Sequence, residues 1–159
     1  MADSQDGAEK VGLSDIAPED YPFGDPASRE RPLILVADDD SELRSMLKAH
    51  FSTKDCDVIE AIDGADTLEK ILVHHPNLVV LDVMMPELTG WEICKYVKER
   101  GDMFAHTGIL MLTGIGALNN ELTSPLFGAD DYIDKPFEFG EFEYKVRKVL
   151  SEKKTAANY

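Results

Sequence analysis

Three consecutive carboxylates follow a short apolar run in the first third of the sequence. The stretch LILVADDD, residues 33–40, passes from apolar and small residues directly into Asp38, Asp39 and Asp40. Like charges this close disfavour one another's ionised forms, and partial burial raises the penalty unless something positive lies among them. A bound cation relieves that penalty, so this stretch indicates a cation site.

Further polar residues end other apolar runs. LVVLD ends in Asp82, TGILMLT ends in Thr113, and Lys135 comes directly after DDYID. The carboxyl ends of the strands form the ligand-binding edge of an open parallel sheet. We therefore expect these groups to converge with the first acidic pair at one edge.

This set of groups is suited to phosphoryl transfer onto a carboxylate. Clustered carboxylate oxygens are the hard ligands that Mg²⁺ accepts, so Asp39 is expected to ligate Mg²⁺ directly, with Asp38 binding or orienting its waters. Asp82 ends the most apolar strand and is the candidate nucleophile, attacking phosphorus to give an acyl phosphate. Lys135 would pair with one phosphoryl oxygen and Thr113 would hydrogen-bond another.

Apolar runs that alternate with amphipathic stretches predict the elements that position these groups. Repeated βα units are the arrangement that such alternation favours, and runs apolar throughout are typical of parallel strands covered on both faces. Ser41 and Asp63 are candidate starts for the first two helices, and Asp40 is assigned to the loop entering the first helix, outside the site. The sequence predicts a doubly wound α/β domain with five parallel strands, at residues 33–37, 56–61, 78–82, 107–113 and 130–134.

The first 30 residues differ in composition from the rest of the chain. They carry eight acidic residues against two basic ones, and prolines recur at 18, 22 and 26. Such composition buries too little apolar surface to offset the entropy of ordering, so a flexible acidic extension over 1–30 is expected. The alternative is a short docking patch of Ile16, Tyr21 and Phe23. The predicted domain covers 31–152, and 153–159 is expected to be a C-terminal tail.

The bulk composition narrows the possible classes of partner and the cellular location. A net charge of -15 and a pI near 4.5 argue against direct nucleic acid binding and against binding to anionic membranes. Membrane insertion is not expected, because no apolar run approaches the roughly 20 residues of a span. Cys56 and Cys94 form no CxxC pair and suit reduced core thiols. A cytoplasmic protein is therefore expected.

Four stretches together resemble the receiver domain of bacterial two-component response regulators. They are LILVADDD, LVVLDVMMPELTGWEICKYVK, ILMLTG and GADDYIDKPF, in the family's order and at its approximate spacing over residues 32–152. The resemblance implies a flavodoxin-like fold with five helices. It also implies a phosphoryl group taken from a phosphohistidine on a sensor histidine kinase or a histidine phosphotransfer protein, with no catalysis beyond self-phosphorylation and autodephosphorylation.

The resemblance assigns roles to individual residues of the site. It implies that Asp82 is the phosphoryl acceptor and that Mg²⁺ is bound by Asp39, Asp82 and the backbone carbonyl of Met84. It also implies a cis peptide bond between Lys135 and Pro136, which would aim the ammonium group into the site.

The resemblance further implies a conformational switch. Thr113 would move toward the phosphoryl group and Tyr132 would turn inward. This motion would alter the face built from the fourth helix, fifth strand and fifth helix, where a downstream protein target would bind.

The fourth connection departs from the family pattern. Gly114, Gly116 and Pro125 lie where an amphipathic helix is expected, so a short or kinked, more mobile helix over 117–127 is predicted. Met84 and Ile115 occupy the two positions that flank the path of the hydrolytic water in the family. Because both are apolar and bulky, a long-lived phosphoryl group is predicted.

Two other functions use part of the same pattern. A haloacid-dehalogenase-type phosphatase needs two acids one residue apart, which Asp38 and Asp40 provide, but leaves Asp82 without a role. A pseudo-receiver, an interaction module without phosphorylation, has no need of clustered carboxylates, which are costly to hold together. A nucleotide-binding flavodoxin-like or Rossmann protein is a weaker alternative, because GIGA at 114–117 follows the fourth predicted strand instead of the first. The pattern leaves open a stand-alone regulator or one domain of a longer protein.

Overall fold

Five parallel strands form the centre of the protein. A computed structural model describes residues 21–114 and 129–157, with side chains through residue 154. The strands are β1 (Leu33–Ala37), β2 (Asp57–Ala61), β3 (Leu78–Asp82), β4 (Gly108–Thr113) and β5 (Asp131–Asp134). Their order in the sheet is β2-β1-β3-β4-β5, and every neighbouring pair is parallel. The predicted strands are confirmed, and the order reverses between β1 and β3, where such sheets bind ligands.

Helices cover both faces of this sheet. They are α1 (Ser41–Ser52), α2 (Gly64–His74), α3 (Gly90–Glu99) and α4 (Phe139–Ala157). The doubly wound, flavodoxin-like α/β fold is thus confirmed, with four helices in the described residues against five expected. The predicted kinked helix over 117–127 lies outside the described residues. α4 continues past residue 152, where the sequence analysis placed the start of a tail.

Alternating residues of the strands build two hydrophobic layers. In β1, Ile34 and Val36 pack on the side of α1 and α4, whereas Leu35 and Ala37 pack on the side of α2 and α3. Side chains of a strand alternate between the two faces, and both faces here are buried. β1, β3 and β4 are therefore apolar along their length, and their first polar residues come where each strand leaves the core.

Local hydrogen bonds define where the first two helices begin. The Asp40 side chain accepts hydrogen bonds from the backbone N–H groups of Glu42 and Leu43, so Asp40 is the N-cap of α1. Ser41, the predicted start, is the first residue of α1, and the cap is Asp40, the residue before it, which the sequence analysis assigned to the entering loop. Asp63 caps α2, as predicted, by accepting from the N–H of Asp66.

Residues 21–31, called here the N-terminal strap, lie against the amino-terminal end of the sheet. The Tyr21 ring stacks on His75 with the ring centroids 4.4 Å apart, and Phe23 meets His74 edge-on. The Arg29 guanidinium donates to the carbonyl oxygens of His74 and His75, each at 2.7 Å. The composition of this stretch favoured a flexible extension, because composition does not reveal these long-range contacts. Ile16 lies outside the described residues.

A candidate acidic site at the carboxyl edge of the sheet

The first two site carboxylates follow β1, and their backbone is held on the neighbouring strand β2. The N–H of Asp38 donates to the carbonyl of Ala61 at 3.2 Å, which extends the β1–β2 pairing by one bond. Asp38 is fully buried and accepts a hydrogen bond from the Asp40 N–H at 2.9 Å, while Asp39 is exposed. The apolar strand therefore delivers one carboxylate into the interior and one to the solvent side.

The third carboxylate ends β3. Asp82 is 5% exposed, and one of its carboxylate oxygens accepts from the N–H of Met84 at 3.2 Å. The N–H of Val83 bonds to the carbonyl of Leu112 on β4, which fixes the chain just beyond Asp82. The side chain is thus held within the sheet edge and on the loop that follows it.

A tight approach by α3 closes this loop. The N–H of Gly90 bonds to the carbonyl of Val83 at 3.0 Å, and a Cβ at Gly90 would lie 2.5 Å from the carbonyl oxygen of Asp82. Any side chain there would push the helix away from the site. This role of Gly90 could not be predicted from the sequence, since a glycine at the start of a helix resembles a common turn residue.

Lys135 joins the two buried carboxylates. Its Nζ lies 3.0 Å from an Asp38 carboxylate oxygen and 3.5 Å from an Asp82 carboxylate oxygen. Its backbone N–H donates to the carbonyl of Thr113 at 2.7 Å, and the peptide bond to Pro136 is cis, as the resemblance implied. Four separate strand ends thus meet at this edge.

The charges at this edge are unbalanced. Carboxylate oxygens of Asp38, Asp39 and Asp82 all lie within 4.8 Å of one another, with one ammonium group, that of Lys135, in contact with two of them. Burial, reinforced by the Asp38 charge, raises the pKa of Asp82 to about 6, although Lys135 acts in the opposite direction. Hard oxygen donors with excess negative charge fit a divalent cation such as Mg²⁺.

The two predicted switch residues occupy different environments. Thr113 is fully buried at the end of β4, paired in register with Asp134 on β5. Tyr132 is half-buried on β5 and packs against the hydrophobic layer under α2 and α3. Met84, predicted to flank a water path, is 68% exposed, while Ile115 lies outside the described residues.

The phosphatase alternative lacks the geometry it requires. That mechanism needs the carboxylates of Asp38 and Asp40 in one site, but the Asp40 carboxylate caps α1. Asp82, which that mechanism leaves unused, is instead in contact with Lys135 and close to Asp38. The acids that converge are those expected for phosphoryl acceptance at Asp82.

The chain is similar to known proteins in sequence and in fold. A family model described as the response regulator receiver domain matches residues 34–147. Over 122 residues the chain is 40% identical to "Probable transcriptional regulator ycf27" of Galdieria sulphuraria, covering 77% of this chain and 46% of that protein. It is 38% identical over 124 residues to "Alkaline phosphatase synthesis transcriptional regulatory protein PhoP" of Bacillus subtilis, covering 78% and 50%.

The chain is also similar to solved structures. The receiver domain of the Francisella response regulator 1452 superposes with a TM-score of 0.70 at 28% sequence identity, covering 77% of this chain and 98% of that one. The chain spans about half the length of the curated relatives just described, which are named as transcriptional regulators.

Proposed function

This chain belongs to the response regulator receiver domain family, the phosphoacceptor modules of two-component signalling, and we propose that Asp82 is its phosphoryl acceptor. The donor would be a phosphohistidine on a sensor histidine kinase or a histidine phosphotransfer protein. The P–N bond to the donor imidazole breaks as a bond forms from an Asp82 carboxylate oxygen to phosphorus. The imidazole leaves with the electron pair and takes up a proton from solvent.

The observation that carries this proposal is the position of Lys135. Its ammonium group contacts both Asp38 and Asp82, and of these two Asp82 retains some exposure, 5% against 0% for Asp38. Two anions repel each other as they approach, so acceptance requires positive charge beside the nucleophile. Lys135 supplies one such charge, and Thr113, at the end of the neighbouring strand, is proposed to hydrogen-bond a phosphoryl oxygen.

We further propose that Mg²⁺ is held by Asp39, Asp82 and the backbone carbonyl of Met84, with Asp38 binding or orienting its waters. The excess negative charge at this edge and its hard oxygen donors support that assignment. The bound ion would screen the charge on the incoming phosphoryl group.

The output is proposed to be a protein contact. On phosphorylation, Thr113 would move toward the phosphoryl group and Tyr132 would turn inward, changing the face that includes β5 and α4. The helix predicted over 117–127 for the same face lies outside the described residues. A net charge of -15 disfavours direct nucleic acid binding by this domain.

We propose a cytoplasmic regulator whose own chemistry is limited to gaining and losing the phosphoryl group. Its receiver unit would include the strap. No described helix has the length and apolar character needed to cross a membrane.

Incubation with acetyl phosphate and Mg²⁺, followed by mass spectrometry of the peptides, tests the acceptor. We expect one phosphoryl group on Asp82, lost in the Asp82→Asn variant and in EDTA. Asp40→Asn is the matched control, because its carboxylate caps α1 and should leave acceptance intact. An adduct on Asp38 that depends on Asp40 would indicate the phosphatase instead. A folded, Mg²⁺-binding chain without any adduct would indicate a pseudo-receiver.

A further inference from the structure

Arg44 on α1 makes two contacts behind the acidic site. Its Nη1 donates to the backbone carbonyl of Asp38 at 2.8 Å, and its Nε lies 3.0 Å from a carboxylate oxygen of Glu60 on β2. The Arg44 side chain is only 15% exposed, so both contacts are shielded from bulk water. A planar guanidinium with several donors can satisfy two acceptors in a fixed geometry.

Glu60 is itself held in place from two further sides. Its second carboxylate oxygen lies 2.8 Å from Nζ of Lys48, and its backbone carbonyl accepts from Nζ of Lys70. Hydrogen bonds from Lys48 and Arg44 lower the pKa of Glu60, although its burial acts in the opposite direction. Arg44 therefore reaches the Asp38 carbonyl from a fixed anchor on the adjacent strand.

The carbonyl that Arg44 holds belongs to the peptide unit that joins Asp38 to Asp39. The Asp38 N–H is already bonded to Ala61, so the backbone of Asp38 is held on both sides. Within the described part of the chain, the Asp39 carboxylate accepts no hydrogen bond of its own. The direction of the Asp39 side chain toward Asp82 is thus set by the Asp39 backbone. Arg44 fixes the peptide plane that precedes this backbone.

We propose that Arg44 is a positioning residue for the metal site, acting through the Asp38–Asp39 peptide unit. The inference rests on the proposed function, because it requires Mg²⁺ at the three carboxylates. The alternative is that Arg44 only ties α1 to β2 through Glu60. Partners that orient ligands typically change metal affinity about 10-fold to 100-fold when removed.

Electrostatics decides which direction of change in Mg²⁺ affinity supports the proposal. Removing a positive charge close to a cation site strengthens cation binding by Coulomb's law alone. If Arg44 acted only through its charge, its removal would tighten Mg²⁺ binding. If it orients the Asp39 backbone, its removal weakens Mg²⁺ binding despite that gain.

The experiment is a MgCl₂ titration of the full chain, followed by two-dimensional NMR of the Asp39 and Met84 backbone amides. We expect the Mg²⁺ dissociation constant to rise about ten-fold in Arg44→Met. Lys48→Met is the matched control, since it removes the same charge and one Glu60 contact but leaves the Asp38 carbonyl bonded. We expect it to leave the constant unchanged or slightly lower. At saturating MgCl₂, Arg44→Met should regain most of its acetyl phosphate acceptance.

Three outcomes would overturn the proposal. They are a rise of less than three-fold in Arg44→Met, tighter binding in that variant, or an equal loss in Lys48→Met. If Arg44→Met does not give a folded spectrum, Arg44→Lys decides, because a single flexible ammonium group does not reproduce the fixed geometry in which the guanidinium Nε and Nη1 bond Glu60 and the Asp38 carbonyl. We then expect at least a three-fold loss, and a smaller one would overturn the role. An unsubstituted chain without Mg²⁺-dependent shifts would remove the metal site and the Arg44 role together, whereas the results above would remove only the latter.

Discussion

Replacing Asp82 with Asn should stabilise the metal-free protein. The pKa of this carboxyl rises from its ordinary value near 3.8 to about 6, chiefly because the side chain is buried and because Asp38 lies close by. Each pKa unit corresponds to about 1.4 kcal/mol, so ionised Asp82 costs the folded state up to about 3 kcal/mol at pH 7. An Asn of the same shape removes the charge and can still accept from the Met84 N–H.

The direction of the pH dependence follows from proton linkage. Between the ordinary and the raised pKa, the folded state holds more protons on Asp82 than the unfolded state does. Unfolding therefore becomes easier as the pH rises from about 4 to about 6, and the full penalty is present above pH 6. Below pH 4 the group is protonated in both states, so its contribution disappears.

Urea unfolding in EDTA, followed by circular dichroism at pH 7 and pH 4, measures this effect. We expect Asp82→Asn to raise the free energy of unfolding by about 1–3 kcal/mol at pH 7, and the gain to shrink toward pH 4. Asp102→Asn, which neutralises an exposed acid, is the control and should change little. Equal or lower stability of Asp82→Asn at pH 7, or a gain that persists at pH 4, would refute the reasoning.

Three further substitutions test other parts of the molecule. Gly90→Ala should lower the free energy of unfolding in urea by about 2 kcal/mol or more, because the added Cβ meets the backbone of Asp82 and Val83. Gly140→Ala has open space around the added Cβ and should stabilise the protein slightly. Equal effects of the two substitutions would contradict the packing argument. Arg29→Met should lower the free energy of unfolding by about 2–3 kcal/mol in the same assay, because two partly buried carbonyls lose their donor. A loss no larger than that of Arg31→Met, at a more exposed arginine, would contradict a stabilising role for the strap. Met84→Asn should shorten the lifetime of the phosphoryl group, measured by phosphate release after removal of acetyl phosphate, because an amide can orient water; fast release that the substitution leaves unchanged would refute the prediction of a long-lived adduct.

The sheet and the carboxylates of the site could be predicted from sequence because both depend on local pattern. β1 and β3 are buried on both faces, so their apolar runs end where the chain leaves the core, at Asp38 and Asp82. Parallel pairing then brings those ends to one edge without further information. Lys135 could be placed by the same rule, since it directly follows β5.

The contacts that orient these groups could not be predicted in this way. Arg44 is an ordinary basic residue of an amphipathic helix until the fold brings it within 2.8 Å of the Asp38 carbonyl. Gly90 becomes necessary only because α3 begins against the backbone of β3. Such contacts join elements distant in sequence, and neither periodicity nor composition records them.

The strap and the acidic site lie at opposite ends of β3. Asn77, directly before the strand, accepts hydrogen bonds from Arg29 of the strap and from the N–H of Leu33 on β1. Asp82, at the other end, is separated from that network by a buried strand of five residues, or roughly 15 Å. This separation exceeds the Debye length of about 8–10 Å at physiological salt, so the charge of Arg29 is largely screened from the site and the strap is expected to act on the stability of the fold. Loss of Arg29 should therefore lower the free energy of unfolding while the Mg²⁺ affinity of the folded protein stays the same, whereas loss of Arg44 is expected to weaken Mg²⁺ binding.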